Sequence, residues 1–128
     1  MKRIIIETEN MTAEAVLYDT AAAEEVWKAL PVSGSANRWG QEIYFSIGRN
    51  IDPGADATDT MPVGSLAYWP PGKAFCILFG ETPASGPDGT PTLASAGAHI
   101  GEVTGSSSVF DEVSAGSRVS VRAAAAAD

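Results

Sequence analysis

The feature that most constrains this fold is a pair of apolar, aromatic-rich runs joined by a corner, in the stretch GSLAYWPPGKAFCILFGETP at residues 64–83. Residues 66–69 and 73–79 have the length and composition of strands, and Pro70-Pro71-Gly72 separates them. Proline lacks the N–H that a sheet needs, and Gly72 can adopt the positive φ of a type II turn, so we expect a strand, a tight corner and a second strand. The second strand is apolar on both alternating faces, which predicts a central position in a sheet covered on both sides.

Composition favours a compact globular protein of one domain, 1–128. Of the 128 residues, 45% are hydrophobic and 19% are charged, which is unlike a disordered chain. The formal charge of −8 opposes binding to nucleic acid or to an anionic membrane, so neither partner is expected. The single cysteine, Cys76, excludes an intramolecular disulfide and is expected to be a buried small hydrophobe. The apolar run after Lys2-Arg3 is too short for a signal-peptide core or a membrane span, which points to the cytoplasm.

The first third of the chain predicts a hairpin followed by a helix. Residues 2–7 are β-branched and residues 11–18 alternate, which is typical of two antiparallel strands. Helix formers then fill residues 20–30, with N-cap residue types at the start, acidic residues early and Pro31 at the end. An apolar stripe at helical spacing predicts that this helix caps a sheet, and the stripe comprises Ala23, Val26, Trp27 and Leu30.

Shorter elements are expected in the rest of the chain. Residues 32–38 are consistent with an edge strand, and residues 38–47 with a half-buried strand that directs Ile43 inward and Glu42 outward. We expect long loops at 48–63, where a short edge strand is possible, and at 80–98. The remaining predictions are a strand at 99–105, a helical turn near 109–113, a strand at 117–122 and a frayed alanine tail at 123–128.

These segments give about eight strands in hairpin-like succession, and a closed small β-barrel is the simplest architecture for them. The stretch GSLAYWPPGKAFCILFG, with WGQEIYF upstream and HIGEVTG downstream, resembles a family of small bacterial and archaeal cyclophilin-like proteins of unknown function. The resemblance covers nearly the whole chain. It implies a mainly β fold, a closed cyclophilin-like barrel of eight strands with helical caps.

The order of elements is also similar to that of true cyclophilins, the peptidyl-prolyl isomerases, but their working motifs are missing. Neither the Phe-His-Arg motif nor the Phe-x-x-Gln-Gly-Gly stretch occurs in the sequence. By the resemblance, the groove glutamine would fall at Ala74 and the phenylalanine of the proline pocket at Cys76. Arg38, at the entry to the strand at 38–47, and Arg49, which follows the strand, are the possible substitutes for the missing arginine. The chain is therefore expected to be distant from the isomerases.

A set of aromatic and polar residues could line a shallow groove on one face of the barrel. Aromatic area with one arginine and a carboxylate suits a peptide or a small amphipathic ligand. The alternative is that the aromatic residues only pack the barrel, that Arg38 pairs with Glu42 and that His99 is a hydrogen-bonded strand end. The candidate ligand-binding residues are Arg38, Trp39, Glu42, Tyr44, Tyr68, Trp69 and His99.

Other chemistry has weaker support in the sequence. His99 could form an acid–base pair with Glu42 or Glu81, although no spacing brings them together. The acidic residues between 52 and 59 lack the spacing of a calcium loop, so a solvated loop is expected. One histidine and one cysteine provide no zinc or iron ligand set, and no phosphate-loop or dinucleotide motif is present, so no metal, cofactor or catalytic residue is assigned.

The sequence therefore leaves three functions open. The first is a binding module that holds a peptide or small molecule in the aromatic groove without chemistry. The second is a divergent peptidyl-prolyl isomerase, and the third is a structural role in an assembly. The sequence does not identify the ligand, the oligomeric state, or whether loop 48–63 covers the groove.

Overall fold

The computed structural model describes residues 1–125, which form an antiparallel sheet of ten strands with few helices. The strands are β1 (Lys2–Glu7), β2 (Thr12–Leu17), β3 (Val32–Ser35), β4 (Asn37–Arg38), β5 (Glu42–Ser46), β6 (Thr58–Thr60), β7 (Ser65–Trp69), β8 (Ala74–Leu78), β9 (Thr92–Val103) and β10 (Arg118–Ala123). The helices are α1 (Ala21–Ala29) and two 3₁₀ segments, Pro70–Gly72 and Ser107–Glu112. The second 3₁₀ segment contains most of the helical turn predicted near 109–113.

The predicted hairpin and helix at the start of the chain are confirmed. Strands β1 and β2 pair along their whole lengths, from Lys2 opposite Leu17 to Glu7 opposite Thr12. Thr20 is the N-cap of α1, because its hydroxyl accepts the Ala23 N–H at 3.2 Å. The apolar stripe of α1 packs on the inner side of the sheet, where Ala23 and Val26 are fully buried.

The two ends of the sheet belong to one short segment of the chain. The strand order is β3-β10-β1-β2-β9-β7-β8-β5-β4, with β6 beside β9. Only Ala36 separates β3 from β4 in sequence. Since no hydrogen-bonded ladder joins β3 to β4 within residues 1–125, closure of the sheet into a hydrogen-bonded barrel is not confirmed. The strands exceed the predicted eight because segment 32–38 divides into two strands and because β6 lies within loop 48–63.

The central hairpin β7–β8 has the predicted strands but a different corner. Pro70–Gly72 forms a 3₁₀ turn, and the left-handed conformation falls on Lys73, at φ 47°, rather than on Gly72. The turn continues through Gly72, so the chain reverses only at the following residue, whose N–H donates to the Pro70 carbonyl at 3.0 Å. Strand β8 lies between β7 and β5 with all of its residues buried, as its apolar faces predict.

Strand β9 is much longer than predicted. It begins at Thr92, inside the segment expected to be a loop up to residue 98, and it replaces the short strand at 99–105. Its first half pairs with β6, where Gly97 lies opposite Thr58, and its second half pairs with β7 and β2. The early start brings Leu93 onto the outer side of the sheet, where it is buried.

The first two residues of the predicted alanine tail pair with β1. Ala123 pairs with Ile4 as the last residue of β10, and the Ala124 N–H donates to the Arg3 carbonyl at 3.0 Å. The prediction of fraying at Ala123 is therefore wrong, and residues 126–128 lie outside the described part of the chain.

The sheet has a buried cluster on each face. The larger, inner cluster lies between the sheet and α1 and includes Phe45, Phe75 and Ile77. A smaller cluster covers the outer face of β7 and β8, and its members are Met61, Ala67, Ala74, Cys76, Leu78 and Leu93, with Tyr44 and Trp69 packed against it. The outer cluster is the floor on which the candidate site is built.

Candidate functional site

A cavity of about 210 Å³ opens on the outer face of the sheet, and we call it the outer pocket. It contains four of the seven candidate ligand-binding residues named from the sequence. The other two lining residues belong to the unpredicted half of β9. The lining of the outer pocket is Trp39, Glu42, Tyr44, Trp69, Leu93 and Ala94.

A tight turn sets two walls of the outer pocket side by side. Trp39 and Glu42 exchange backbone hydrogen bonds at 3.0 and 3.2 Å, which closes a loop of Gly40 and Gln41 between β4 and β5. Gly40 has φ +63°, as in a type II′ turn with glycine at its first central position. A Cβ at Gly40 would lie 2.9 Å from the Glu81 carbonyl oxygen. Glycine is therefore required both for the backbone conformation and for the close approach of residue 81.

The indole of Trp69 is held in a fixed orientation across the outer pocket. Its Nε1–H donates to the Ser95 hydroxyl of β9 at 2.9 Å. From below, Gly72 allows the ring to lie close to the 3₁₀ turn, since a Cβ there would be 3.0 Å from two atoms of the indole. The rings of Trp69 and Tyr44 stand edge to face, with centroids 6.4 Å apart and planes at 68°. These contacts fix two aromatic walls at a steep angle.

Glu42 places a carboxyl group in these apolar surroundings. The residue is only 4% exposed, and its Oε1 is buried without a hydrogen-bond partner among the described residues. Burial raises the pKa of Glu42 to about 7, against a smaller lowering by the neighbouring Cys76 thiol. Burial, and after it the charge of Glu42, raise the pKa of Cys76 well above its usual range. The outer pocket thus contains one carboxyl that titrates near neutrality, and the thiol buried in the cluster beneath it stays protonated.

Arg38 lies apart from the outer pocket and holds the 3₁₀ segment Ser107–Glu112 to β4. Its guanidinium bonds the Asp111 carboxylate at 2.8 Å and the Asp111 and Val113 carbonyl oxygens at 3.1 and 2.9 Å. It also donates to the Gly40 carbonyl at 2.8 Å and stacks 5.0 Å from the Phe79 ring centroid. The alternative pairing of Arg38 with Glu42 is wrong, because the hydrogen bonds and the ion pair of Arg38 are all made with Gly40, Asp111 and Val113.

Tyr68 belongs to the inner cluster, on the opposite face of β7 from Trp69. It is 1% exposed, and its hydroxyl donates to the Arg49 carbonyl and accepts the Ile51 N–H at 3.2 Å. Tyr68 therefore anchors the start of loop 48–63.

His99 lines a second cavity, of about 370 Å³, with the first residues of α1 and residues 52–56. Its ring stands edge to face with Tyr18, centroids 5.1 Å apart, and burial lowers its pKa. Its Nε2 is buried and has no hydrogen-bond partner among the described residues. His99 and Glu42 line different cavities, so the structure does not bring the suggested acid–base pair together.

Loop 48–63 does not line the outer pocket, which the sequence had left open. Residues 52–56 line the second cavity, and the loop contributes Met61 to the outer cluster. The Asp52 carboxylate accepts the Gly54 N–H at 2.9 Å as a local turn. Within residues 1–125, no group of three His, Cys, Asp or Glu side chains is placed to hold a metal ion.

Leu93 and Ala94 are the lining residues that sequence reasoning missed. Residues 92–97 are mostly small and do not alternate between apolar and polar types, so they lack the usual signal of a strand. In the structure they pair with β6, and Leu93 joins the outer cluster. The available signal was Thr92-Leu93, a β-branched and an apolar residue directly after Pro91.

The fold and the outer pocket define a small, mainly β protein with a side-chain-sized cavity on the outer face of its sheet. The chain belongs to the Cyclophilin-like family, whose sequence model matches residues 2–122. A hypothetical protein from Archaeoglobus fulgidus, known from a solution structure, is 35% identical to this chain. The two superpose with a TM-score of 0.81 over 96% of this chain and 95% of that one.

A search of the curated proteins found no match. Among residues 1–125, no helix has the length and apolar character required to cross a membrane.

Proposed function

We propose that this protein is a binding module that holds a small ligand, or one side chain of a peptide, in the outer pocket without chemistry. The observation that carries the proposal is the buried Glu42 carboxyl, whose Oε1 has no hydrogen-bond partner among the described residues. Leaving a buried polar atom unpaired destabilises a fold by roughly 1 to 3 kcal/mol. A ligand that places a hydrogen-bond donor or a positive charge beside this oxygen would recover part of that free energy, so ligand binding to the outer pocket is favoured.

The walls support a ligand that is partly apolar. Trp39, Tyr44 and Trp69 provide aromatic area, and Leu93 provides an aliphatic floor. Ligand sites commonly combine apolar walls with few polar groups that fix orientation. Sites for drug-sized molecules usually have volumes of about 300 to 1,000 Å³. The smaller outer pocket therefore suits a head group or a single side chain.

Binding without chemistry is favoured over catalysis by the surroundings of Glu42. A carboxyl with a pKa of about 7 would suit a general acid or base. However, the thiol beside it, that of Cys76, is fully buried and its pKa is raised, so it does not supply a thiolate nucleophile. Of the two arginines that could serve a divergent isomerase, Arg38 has its N–H groups bonded to Gly40, Asp111 and Val113, and Arg49 does not line the outer pocket. No observation favours the isomerase.

The test is a fragment screen on the intact chain by two-dimensional NMR. The three tryptophans give separate indole N–H signals. Trp27 of α1, whose ring lies under the Lys2 ammonium group of β1, does not line the outer pocket and is an internal control. A ligand of the outer pocket should move the signals of Trp39 and Trp69 and leave that of Trp27 in place. A screen in which no compound moves the Trp39 and Trp69 signals selectively would contradict the proposal.

We further infer that segment 32–38 completes residues 1–128 into one barrel-like domain, which would keep the outer pocket rigid. The inference is supported by the pairing of β3 with β10 and of β4 with β5 on either side of Ala36, whose N–H donates to the Ser117 carbonyl at 2.8 Å. Slow amide exchange at Ala36, comparable with that of β8, is the expected measurement. Exchange as fast as in an exposed loop would argue against closure.

A further inference from the structure

The carboxyl of Glu42 has no cationic partner among the described residues. Six ion pairs occur within residues 1–125, and none of them includes Glu42. The nearest arginine in sequence, Arg38, is bound to Asp111. A buried carboxylate without a counter-ion is unfavourable, so it is stabilised either by taking up a proton or by binding a cation. A cationic ligand would satisfy it.

The aromatic walls of the outer pocket favour the same kind of ligand. An aromatic ring carries partial negative charge on its face, and a cation over that face is attracted to it. Tyr44 and Trp69 pack edge to face, with ring planes at 68° to each other, so a group in the corner that the two rings form would lie against both of them, and Trp39 adds a third aromatic wall. Several aromatic walls around one site are an arrangement by which proteins recognise alkylated ammonium groups, and here Glu42 adds a carboxyl to such walls.

The polarity of the outer pocket also limits the kind of cation that it can bind. A strongly hydrated inorganic cation needs several oxygen ligands, whereas the outer pocket has mainly carbon surface and one carboxyl. An alkylated ammonium group is weakly hydrated and presents methyl groups, which match the aromatic walls.

We propose that the outer pocket binds the head group of an organic ammonium ion, with Glu42 as its counter-ion and Trp39, Tyr44 and Trp69 as its walls. This proposal rests on the proposed function and names its ligand class. The head group can belong to a free quaternary amine or to a methylated lysine side chain, since both present the same chemistry.

Binding of such a cation is coupled to the protonation of Glu42. The titratable groups that face Glu42 are the Cys76 thiol of β8 and the Tyr44 phenol of its own strand, and Trp69, Leu93 and Ala94 carry none. With the Glu42 pKa at about 7 in the free protein, a quaternary ammonium ion binds the deprotonated form and displaces the proton. We expect about ten-fold weaker affinity at pH 6 than at pH 8 and proton release on binding near pH 7.

The experiment compares choline with 3,3-dimethylbutan-1-ol, in which a neutral tert-butyl group replaces trimethylammonium with the same shape. Titrations of the intact chain at pH 8, followed by calorimetry and by the indole N–H signals, should give at least ten-fold tighter binding of choline. The Trp39 and Trp69 signals should move and that of Trp27 should not. A short glycine-flanked peptide with one trimethyllysine forms a third arm, and the tighter of it and choline identifies the source of the head group.

The matched variants are Glu42→Gln, which removes the charge and keeps the shape, and Glu112→Gln, which removes an exposed charge outside the outer pocket. Glu42→Gln should weaken choline binding about ten-fold or more at pH 8 and abolish its pH dependence, and Glu112→Gln should change neither. The choline comparison on the unaltered chain remains decisive if Glu42→Gln does not fold.

Equal affinity for choline and its neutral isostere, or choline binding unchanged by Glu42→Gln, would overturn the ammonium proposal. The ammonium proposal also fails if the fragment screen finds only neutral ligands in the outer pocket, although the binding function would then stand. If neither the ammonium probes nor any fragment binds, both proposals fail.

Discussion

Trp39 and Glu42 face each other directly across the β4–β5 turn, joined by backbone hydrogen bonds of 3.0 and 3.2 Å. Opposed residues of an antiparallel pair project from the same face of a sheet. The turn thus sets an indole beside a carboxyl on the outer face, and accordingly neither side chain belongs to the inner cluster. The turn therefore positions two of the six residues that line the outer pocket.

Replacing Gly40 with alanine should therefore damage both the fold and the outer pocket. Alanine at φ +63° costs roughly 1 to 2 kcal/mol in backbone conformation, and its Cβ would also lie 2.9 Å from the Glu81 carbonyl oxygen. We expect a loss of more than about 2 kcal/mol in the free energy of unfolding, measured in urea.

Gly48→Ala is the matched control, since Gly48 has φ +69° but an added Cβ there would meet nothing within 4 Å. It should show the conformational cost alone. Equal losses for the two variants would mean that the contact with residue 81 is unimportant.

Much of the fold could be predicted because its signals are local. The hairpin β1–β2, the capped helix α1 and the strand β8 follow from alternation, N-cap residues and apolar runs, and all three are present. Strand β9 could not be predicted from Thr92 onward, because its first half is small and half-exposed and owes its conformation to pairing with β6. The position of the reversal at Lys73 depends on how far the 3₁₀ turn continues, which composition does not specify.

The sequence predicts four of the six residues that line the outer pocket, and it also contains the signal that separates Tyr68 from them. Tyr68 and Trp69 are adjacent in a strand, so alternation alone places them on opposite faces, and only Trp69 can join Tyr44. The partner of Arg38 could not be predicted, because Asp111 lies 73 positions further along the chain. The burial of Glu42 was also hidden, since alternation along β5 directs its side chain away from the inner cluster and gives no sign of the second cluster on the outer face.

The pH dependence of stability should reveal Glu42. Its pKa is raised from 4.5 to about 7, so between these values the folded protein binds more protons than the unfolded chain, and stability falls as the pH rises. The full rise corresponds to about 3 kcal/mol. Glu42→Gln has no proton to lose and resembles the protonated acid, so it should be more stable than the unaltered protein at pH 8 and similar to it near pH 4.5.

The measurement is urea denaturation of both proteins from pH 4.5 to pH 8.5, with the difference in unfolding free energy plotted against pH. His99, whose pKa is lowered by burial, titrates in both proteins and cancels in that difference. Glu112→Gln, at an exposed position, should give a flat difference. A flat difference for Glu42→Gln as well would show that its carboxyl has an ordinary pKa.

Gly72→Ala should disturb the outer pocket more than the stability of the fold. The added Cβ would lie 3.0 Å from Trp69 Cε3 and Cζ3, so the indole must shift away from the 3₁₀ turn and strain its hydrogen bond to Ser95. We expect a loss of about 1 kcal/mol in unfolding free energy and a moved Trp69 indole N–H signal. Gly86→Ala, where a Cβ would meet nothing within 4 Å, should leave that signal unchanged, and identical spectra for the two variants would refute this role of Gly72.

Arg38→Gln separates the structural role of Arg38 from a role in binding. Its guanidinium bonds the side chain and carbonyl of Asp111 and the Val113 carbonyl, and its exposed fraction is only 26%, so we expect a loss of roughly 2 kcal/mol in unfolding free energy. Arg118→Gln, which removes a single exposed bond to Ser33, should cost less than about 1 kcal/mol.

Neither Arg38→Gln nor Arg118→Gln should alter the affinity of the folded protein for choline, because neither arginine lines the outer pocket. The unaltered chain should likewise leave the isomerisation of Xaa-Pro peptides at its uncatalysed rate in an NMR exchange assay. Catalysis that Arg38→Gln abolished, while the variant remained folded by circular dichroism, would show that the guanidinium leaves Asp111 to act on a substrate, and the assignment of Arg38 as a structural clamp would be wrong.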